Sequence, residues 1–302
     1  MSFTVAAAAL LATLAGTASA VTGGAPTPGA SPPPPGSPTG APASGAPSAG
    51  ALSLIAAQTS PRKSFYYGFR YPKLSFAIAS TQQQNDLRVD VVDVAGEAVR
   101  TFFRNDVAPN AESRIRWDGT TNAGRPAPNG RYTFRVSSQA GAVAARPAAT
   151  TSEAVNLSFA FYGYAFPVLG VHDYGGGGAR FGAPRSGHTH QGQDVMAECG
   201  VPLVAARGGR VQYAGFEGNA GNYVVIDGKG ATFDFMYAHL AQPSPLKTGD
   251  PVRTGQPIGI VGDTGDATAC HLHFEIWTAP GWYEGGSPVD PLSYLQKWDR
   301  YS

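Results

Sequence analysis

The chain has 302 residues, only 14% of them charged, and a net charge of +1. At roughly 100 to 200 residues per domain this is room for two domains, and the lack of a basic excess argues against a nucleic-acid partner. Its 39 glycines and 25 prolines are unevenly placed, and that unevenness marks the boundaries.

Residues 1–20 read as a secretory signal: an apolar run over 5–14 is followed by Ala18-Ser19-Ala20, the small-x-small pattern of a cleavage site. The run is too short for a bilayer anchor, and no cysteine follows the cleavage point. The expectation is a secreted, extracytoplasmic protein with no lipid anchor and no stable membrane insertion after cleavage. Residues 21–50 are almost entirely Gly, Ala, Pro, Ser and Thr. Such a stretch buries too little apolar surface to offset its ordering entropy and is expected to be a disordered linker.

From 51 to 140 the pattern is β. Segments 74–79, 87–93, 98–103, 113–117 and 131–136 are short, rich in β-branched and aromatic residues, and separated by turn signals such as Asn129-Gly130. Strands at this spacing predict a small sandwich. Residues 89–100, Trp117-Asp118-Gly119, Gly124 and 129–136 together resemble the Ig-like domain of FlgD-type flagellar hook-capping proteins. The resemblance brings no catalytic groups, so this domain is expected to be a spacer, a wall-adhesion module or a lid, with Trp117 a core residue. Residues 141–156 return to Ala, Pro, Thr and Ser and are placed as an interdomain linker, so that the second domain spans 157–302. All six histidines and both cysteines lie after residue 141. Chemistry belongs to this half.

Strands are expected at 201–204, 209–214, 223–226 and 232–237, and a terminal helix over 292–298. The stretch Cys270-His271-Leu272-His273-Phe274-Glu275-Ile276 alternates polar and apolar residues, which puts His271, His273 and Glu275 on one face of a strand and Leu272, Phe274 and Ile276 on the other. His190-Gln191-Gly192-Gln193-Asp194 sits among glycines and Pro184, so it reads as a loop entering a strand. One imidazole and one carboxylate from that loop, with His273, make three protein ligands and leave a fourth position open, the pattern of catalytic zinc. His239, at the end of the 232–237 strand, is a further histidine available for proton transfer.

His190-x-Gly-x-Asp194, Tyr237-Ala238-His239-Leu240, the 248–259 stretch, Gly262-Asp263-Thr264-Gly265 and His271-Leu272-His273-Phe274-Glu275 resemble, in order, the motifs of lysostaphin/LytM-type zinc metallopeptidases. The resemblance implies a mainly β protein: the Ig-like β-sandwich followed by a mostly antiparallel β-sheet domain of duplicated-hybrid-motif type, with zinc in its groove. It implies a peptidoglycan endopeptidase in which His190, Asp194 and His273 bind Zn2+, while His239 and His271 are the catalytic histidines. Which of the two is the base stays open, and so do the bond cut and the oligomeric state. The other reading is a non-hydrolytic wall-binding protein that activates other wall hydrolases. Cys199 and Cys270 flank Asp194 and His271, so a site built in this way draws them together, and export makes a disulfide the expectation. His172 and His188 read as loop residues, and the 175–178 glycine run as the groove's rim, since no P-loop Lys-Ser/Thr follows it.

Overall fold

Short runs of β-branched and aromatic residues broken by Gly, Pro and Asn favour strands, and the protein is mainly β, with a single α-helix among the described residues. The structure is a computed structural model and describes residues 53–81, 87–138, 146–147 and 157–302, all within the unit Ala49–Ser302. The expected signal segment at 1–20, the linker at 21–50 and most of the linker at 141–156 lie outside the described residues. None of the described helices is long and apolar enough to cross a membrane.

The N-terminal domain is a sandwich. One sheet runs in the order Ser113–Arg116, Lys73–Ala79, Ser53–Ser60, Arg146–Pro147, and the other in the order Lys63–Phe65, Ser158–Tyr162, Gly130–Ser138, Leu87–Val92, Ala98–Arg104. Alternation sends Leu74, Phe76 and Ile78 from one sheet and Leu87, Val89 and Val91 from the other into a common core. Trp117 is fully buried there, 5.1 Å from the Tyr132 ring, 5.7 Å from Phe159 and 4.8 Å from Phe161, and its indole N–H donates to Thr120 O at 2.7 Å.

Phe159 and Phe161 correct the domain boundary expected at 156/157. The strand Ser158–Tyr162 pairs antiparallel with Gly130–Ser138 and belongs to the sandwich. The short strand Arg146–Pro147, inside the expected linker, pairs with Ser53 and Leu54. The physical reason is the core: without the two phenylalanines, one side of Trp117 would face water.

On the outer face of the five-stranded sheet, Asp90 is buried and accepts Arg88 Nε at 2.9 Å, Thr101 Oγ1 at 2.7 Å and Arg135 Nη2 at 3.1 Å. Burial alone would raise its pKa, but these three bonds outweigh burial and hold it below the ordinary carboxylate value. A carboxylate depressed in the folded state contributes stability above its unfolded pKa, and that stability is lost as pH falls through the folded value. Asp90→Asn is therefore expected to destabilise the protein at pH 7 by about 1–3 kcal/mol. Urea midpoints of variant and parent should converge as the pH drops below about 4. An equal gap at pH 3 and pH 7 would contradict this account.

The C-terminal domain is built on one large antiparallel sheet, in the order His172–Asp173, Gln193–Ala197, His271–Thr278, Phe233–Leu240, Gly221–Gly228, Gly209–Glu217, Pro251–Val252. Pro202–Val204 and Pro257–Ile260 form a separate two-stranded piece. One face is the core, where Val195, Leu272, Phe274, Ile276, Phe235 and Tyr237 are fully buried. The helix Leu292–Asp299 closes it through Leu295 and Trp298, at about 1.5–3 kcal/mol for each large apolar side chain removed from water.

The sandwich grips the second domain through the segment around residues 63–71. Thr254, 1% exposed, donates its N–H to Tyr67 O and its hydroxyl to Tyr66 O, and accepts Phe69 N–H on its carbonyl. The buried Arg207 guanidinium lies 4.2 Å from the Tyr66 ring and 4.9 Å from Tyr164, and Arg253 lies 4.0 Å from the Tyr67 ring. Tyr164 in turn packs on Phe235 and Trp298. This is the core side of the sheet, opposite the face described next.

Candidate metal centre

Cross-strand pairing assembles the site. Asp194 pairs directly with His273, Met196 with His271, and Ala238 with His273. Residues opposite one another in an antiparallel pair point to the same face, so Asp194, His271 and His273 gather on the side away from the core. His190 reaches them from the loop before Gln193–Ala197, where its backbone N–H donates to Ala183 O and its carbonyl accepts Gly182 N–H. Gly192 passes under the His273 ring: a Cβ there would sit 2.9 Å from His273 Nε2 and 2.5 Å from Phe274 O, so only glycine fits between the loop histidine and the strand carboxylate.

His239 arrives by a backbone exception. Phe235 and Tyr237 face the core and Met236 and Ala238 the other side, so strict alternation would turn His239 inward. Its φ is +61°, in the left-handed region that non-glycine residues rarely occupy. That turn breaks the alternation and brings the ring to the outer face, 4.6 Å from the His271 ring and 5.8 Å from that of His273. Backbone strain of this kind collects at functional positions.

Three donor atoms converge. His190 Nε2 and His273 Nδ1 are 2.8 Å apart, and each is 3.0 Å from Asp194 Oδ1. The second nitrogen of each ring is engaged: His190 Nδ1 with Arg180 O at 2.8 Å, and His273 Nε2 with Glu275 Oε1 at 2.9 Å. A carbonyl or a carboxylate only accepts, so in the neutral rings those nitrogens carry the protons and the converging ones present lone pairs. Two imidazoles and a carboxylate at this spacing fit a tetrahedral ion such as zinc, whose ligands stand about 3.3 Å from one another at 2.0–2.1 Å bond lengths. The charge balance agrees. Burial opposes a charge on His273, yet its bonds to Asp194 and Glu275 outweigh burial and raise its pKa to about 9. Asp194 shows the converse: burial would raise its pKa, but His190 and His273 hold it far below the carboxylate range. With no metal bound that positive charge is a proton on His273, which an ion on the converging atoms would displace.

His239 and His271 stand beside this triangle. His239 Nδ1 donates to Thr264 O and His271 Nδ1 to Ala269 O, both at 2.8 Å, which leaves each Nε2 with a lone pair; that of His271 is 3.6 Å from Asp194 Oδ1. Burial, with His271 and His273 adding to it, pushes His239 down to about 4, so its ring is neutral at pH 7. All five residues singled out from the sequence are thus brought together. Cys199 and Cys270 face each other at the edge of the site, their sulfurs in bonding contact and their Cα atoms 5.3 Å apart, within the span a disulfide bridges. His188 is exposed, with its ring on Ser186 O and its carbonyl accepting Arg185 N–H, while His172 ties Gly170 O to Asp299. Neither joins the cluster.

Glu275 is the residue for which sequence reasoning found no role. It is buried, holds His273 Nε2, and is itself held by Trp277 Nε1 at 2.6 Å and Trp282 Nε1 at 3.3 Å. Its position two residues from His273 on the same strand face was the available signal. Glu275→Gln keeps the shape and removes the charge, so metal affinity is expected to fall about 10- to 100-fold. Competition with a chelating dye measures it, and unchanged affinity would make Glu275 a packing residue only.

Residues 188–291 match "Peptidase family M23", and residues 71–142 match "FlgD Ig-like domain". A peptidoglycan DD-endopeptidase, ShyC, of Vibrio cholerae is 42% identical over 29% of this chain and 20% of its own length. A DD-carboxypeptidase/endopeptidase, Mpg, of Neisseria meningitidis is 36% identical over 34% of this chain and 22% of its own. The chain thus spans about a fifth of the length of these curated relatives. Among solved structures, the catalytic domain of lysostaphin from Staphylococcus simulans is 29% identical over 41% of this chain and 92% of its own, with a TM-score of 0.37.

Proposed function

We propose that this chain, which carries a Peptidase family M23 domain behind a FlgD Ig-like domain, is a secreted zinc-dependent endopeptidase that hydrolyses peptide bonds in bacterial peptidoglycan. The observation that carries the reading is the triangle of His190 Nε2, Asp194 Oδ1 and His273 Nδ1, with two further imidazoles turned towards it. The Vibrio cholerae relative, a peptidoglycan DD-endopeptidase, supports peptidoglycan as the substrate.

In this reading His190, Asp194 and His273 hold the metal, with Glu275 fixing the tautomer of His273. Zinc in such a donor set supplies a water acidified to near neutrality and a Lewis acid for the scissile carbonyl. The chain's own residues move the protons. His239 and His271 each turn Nε2 to the reaction space, one to take the proton released as water attacks and to pass a proton to the leaving amine. Thr264 O and Ala269 O hold the two rings in the required tautomer. The Cys199–Cys270 bridge keeps the end of the His271 strand against the loop that follows Asp194.

The test uses the full chain: metal content, then incubation with purified peptidoglycan and mass analysis of the products. One zinc per chain and chelator-sensitive release of new amino termini are expected. A folded protein that holds no zinc and releases none would transfer the chain to the wall-binding, hydrolase-activating class.

A further inference from the structure

Both rings of the proton-transfer pair hang from a single loop. His239 Nδ1 donates to Thr264 O and His271 Nδ1 to Ala269 O, and both carbonyls lie between Gly262 and Cys270. The loop is closed at its base, where Gly262 pairs with His271 and accepts His271 N–H at 3.2 Å. Beyond that base most of it faces solvent: Asp263, Gly265, Asp266, Thr268 and Ala269 are exposed. A loop with few buried contacts opens easily, and a ring hung on its carbonyls would wander with it. Side chains near the two ends counter this.

At the entry end, Thr264 Oγ1 donates to Leu240 O at 2.7 Å and accepts Asn222 N–H at 3.0 Å. Leu240 follows His239 directly and is fully buried, and its carbonyl also accepts Asn222 Nδ2 at 3.2 Å. The hydroxyl therefore clamps the chain just past the left-handed turn, while the carbonyl of the same residue holds the ring. The fit is close: a Cβ on Gly221 would stand 2.3 Å from Thr264 Oγ1. At the exit end, Cys270 adjoins both Ala269 and His271, and its sulfur is in bonding contact with that of Cys199. The turn that carries Cys199 is itself fixed on the segment entering the loop. Gly200 N–H donates to Val261 O and Val261 N–H to Val201 O, both at 2.8 Å.

We propose that the 262–270 loop is the positioning element of the proton-transfer pair, with one clamp for each ring. The Thr264 hydroxyl sets His239, and the Cys199–Cys270 bridge sets His271. Thr264, Cys199 and Cys270 are positioning residues, and the donor triangle contains none of their atoms. The inference rests on the proposed function for what the rings do, but not for how they are held.

The test reads the rings directly. In nitrogen–proton spectra of the histidine rings of the zinc-loaded full chain, in mildly alkaline buffer, the two signals are identified by their loss in His239→Asn and His271→Asn. Each ring is expected as a single tautomer protonated on Nδ1. Thr264→Val keeps the shape and removes the hydroxyl, so it is expected to mix the tautomers of His239 while His271 and the zinc content stay as in the parent. Thr264→Ser should restore the single tautomer. The double variant Cys199→Ser/Cys270→Ser should mix the tautomers of His271 and spare His239. On soluble peptidoglycan fragments Thr264→Val and the double variant are each expected to lower kcat about 10- to 100-fold with little change in KM, since misplacing a positioned group by about 1 Å costs up to a hundredfold. Should Thr264→Val not fold, Thr264→Ala deletes the same hydroxyl with less bulk, and a water-soluble phosphine opens the bridge of the folded parent without a substitution. Rings unmoved by these changes, or both rings moved alike by each, would overturn the proposal. A parent that hydrolyses nothing would end the proposed function and leave the ring readout intact.

Discussion

Asp194→Ala is expected to lose the metal and hydrolysis together. The Asp194 Oδ1 atom is the one point shared by His190 and His273, and His271 lies 3.6 Å away. Its removal leaves three imidazoles crowded with no charge between them, and Arg185, whose Nη2 donates to Asp194 Oδ2 at 3.3 Å, without its acceptor. Breaking a buried charged pairing costs about 3–5 kcal/mol, which corresponds to roughly a hundredfold to a few-thousandfold in metal affinity. Zinc stoichiometry after dialysis, set beside the rate of amino-terminus release from peptidoglycan, gives the answer. A variant that retains one zinc per chain would remove Asp194 from the binding set.

His239→Asn separates the two functions of the cluster. Asparagine tolerates the left-handed backbone that this position requires, so the strand should keep its course, and the donor triangle contains no His239 atom. Zinc content is expected to match the parent, while hydrolysis falls by about a hundredfold to ten-thousandfold, the usual contribution of a positioned acid or base. A rate within a few-fold of the parent would assign proton transfer to His271 alone. Loss of zinc alongside activity would instead make His239 part of the metal-binding set.

The buried carboxylate beneath His273 and the histidine at φ +61° differ in how far they could be read in advance. Glu275 shares a strand face with His271 and His273, so its closeness followed from alternation; that it is held by two indoles did not, because Trp282 lies beyond the strand, in the turn after it. His239 was identified as a candidate base, but alternation alone sends its side chain into the core. Its place in the site depends on one backbone torsion that side-chain spacing does not encode.

The sequence by itself determined which side chains share a face and which residue types could bind a metal. Two-residue periodicity and covalent spacing are local, and they survive in any fold that keeps the strands. Only the tertiary structure decided that Ser158–Tyr162 completes the first domain, since its two phenylalanines are bound by the demand of Trp117 for a buried surface rather than by neighbours in sequence. It also decided that the domains are joined through Arg207 and Thr254. Each of these depends on which distant surface covers which, and that is set by the burial of whole layers and not by the residues alongside.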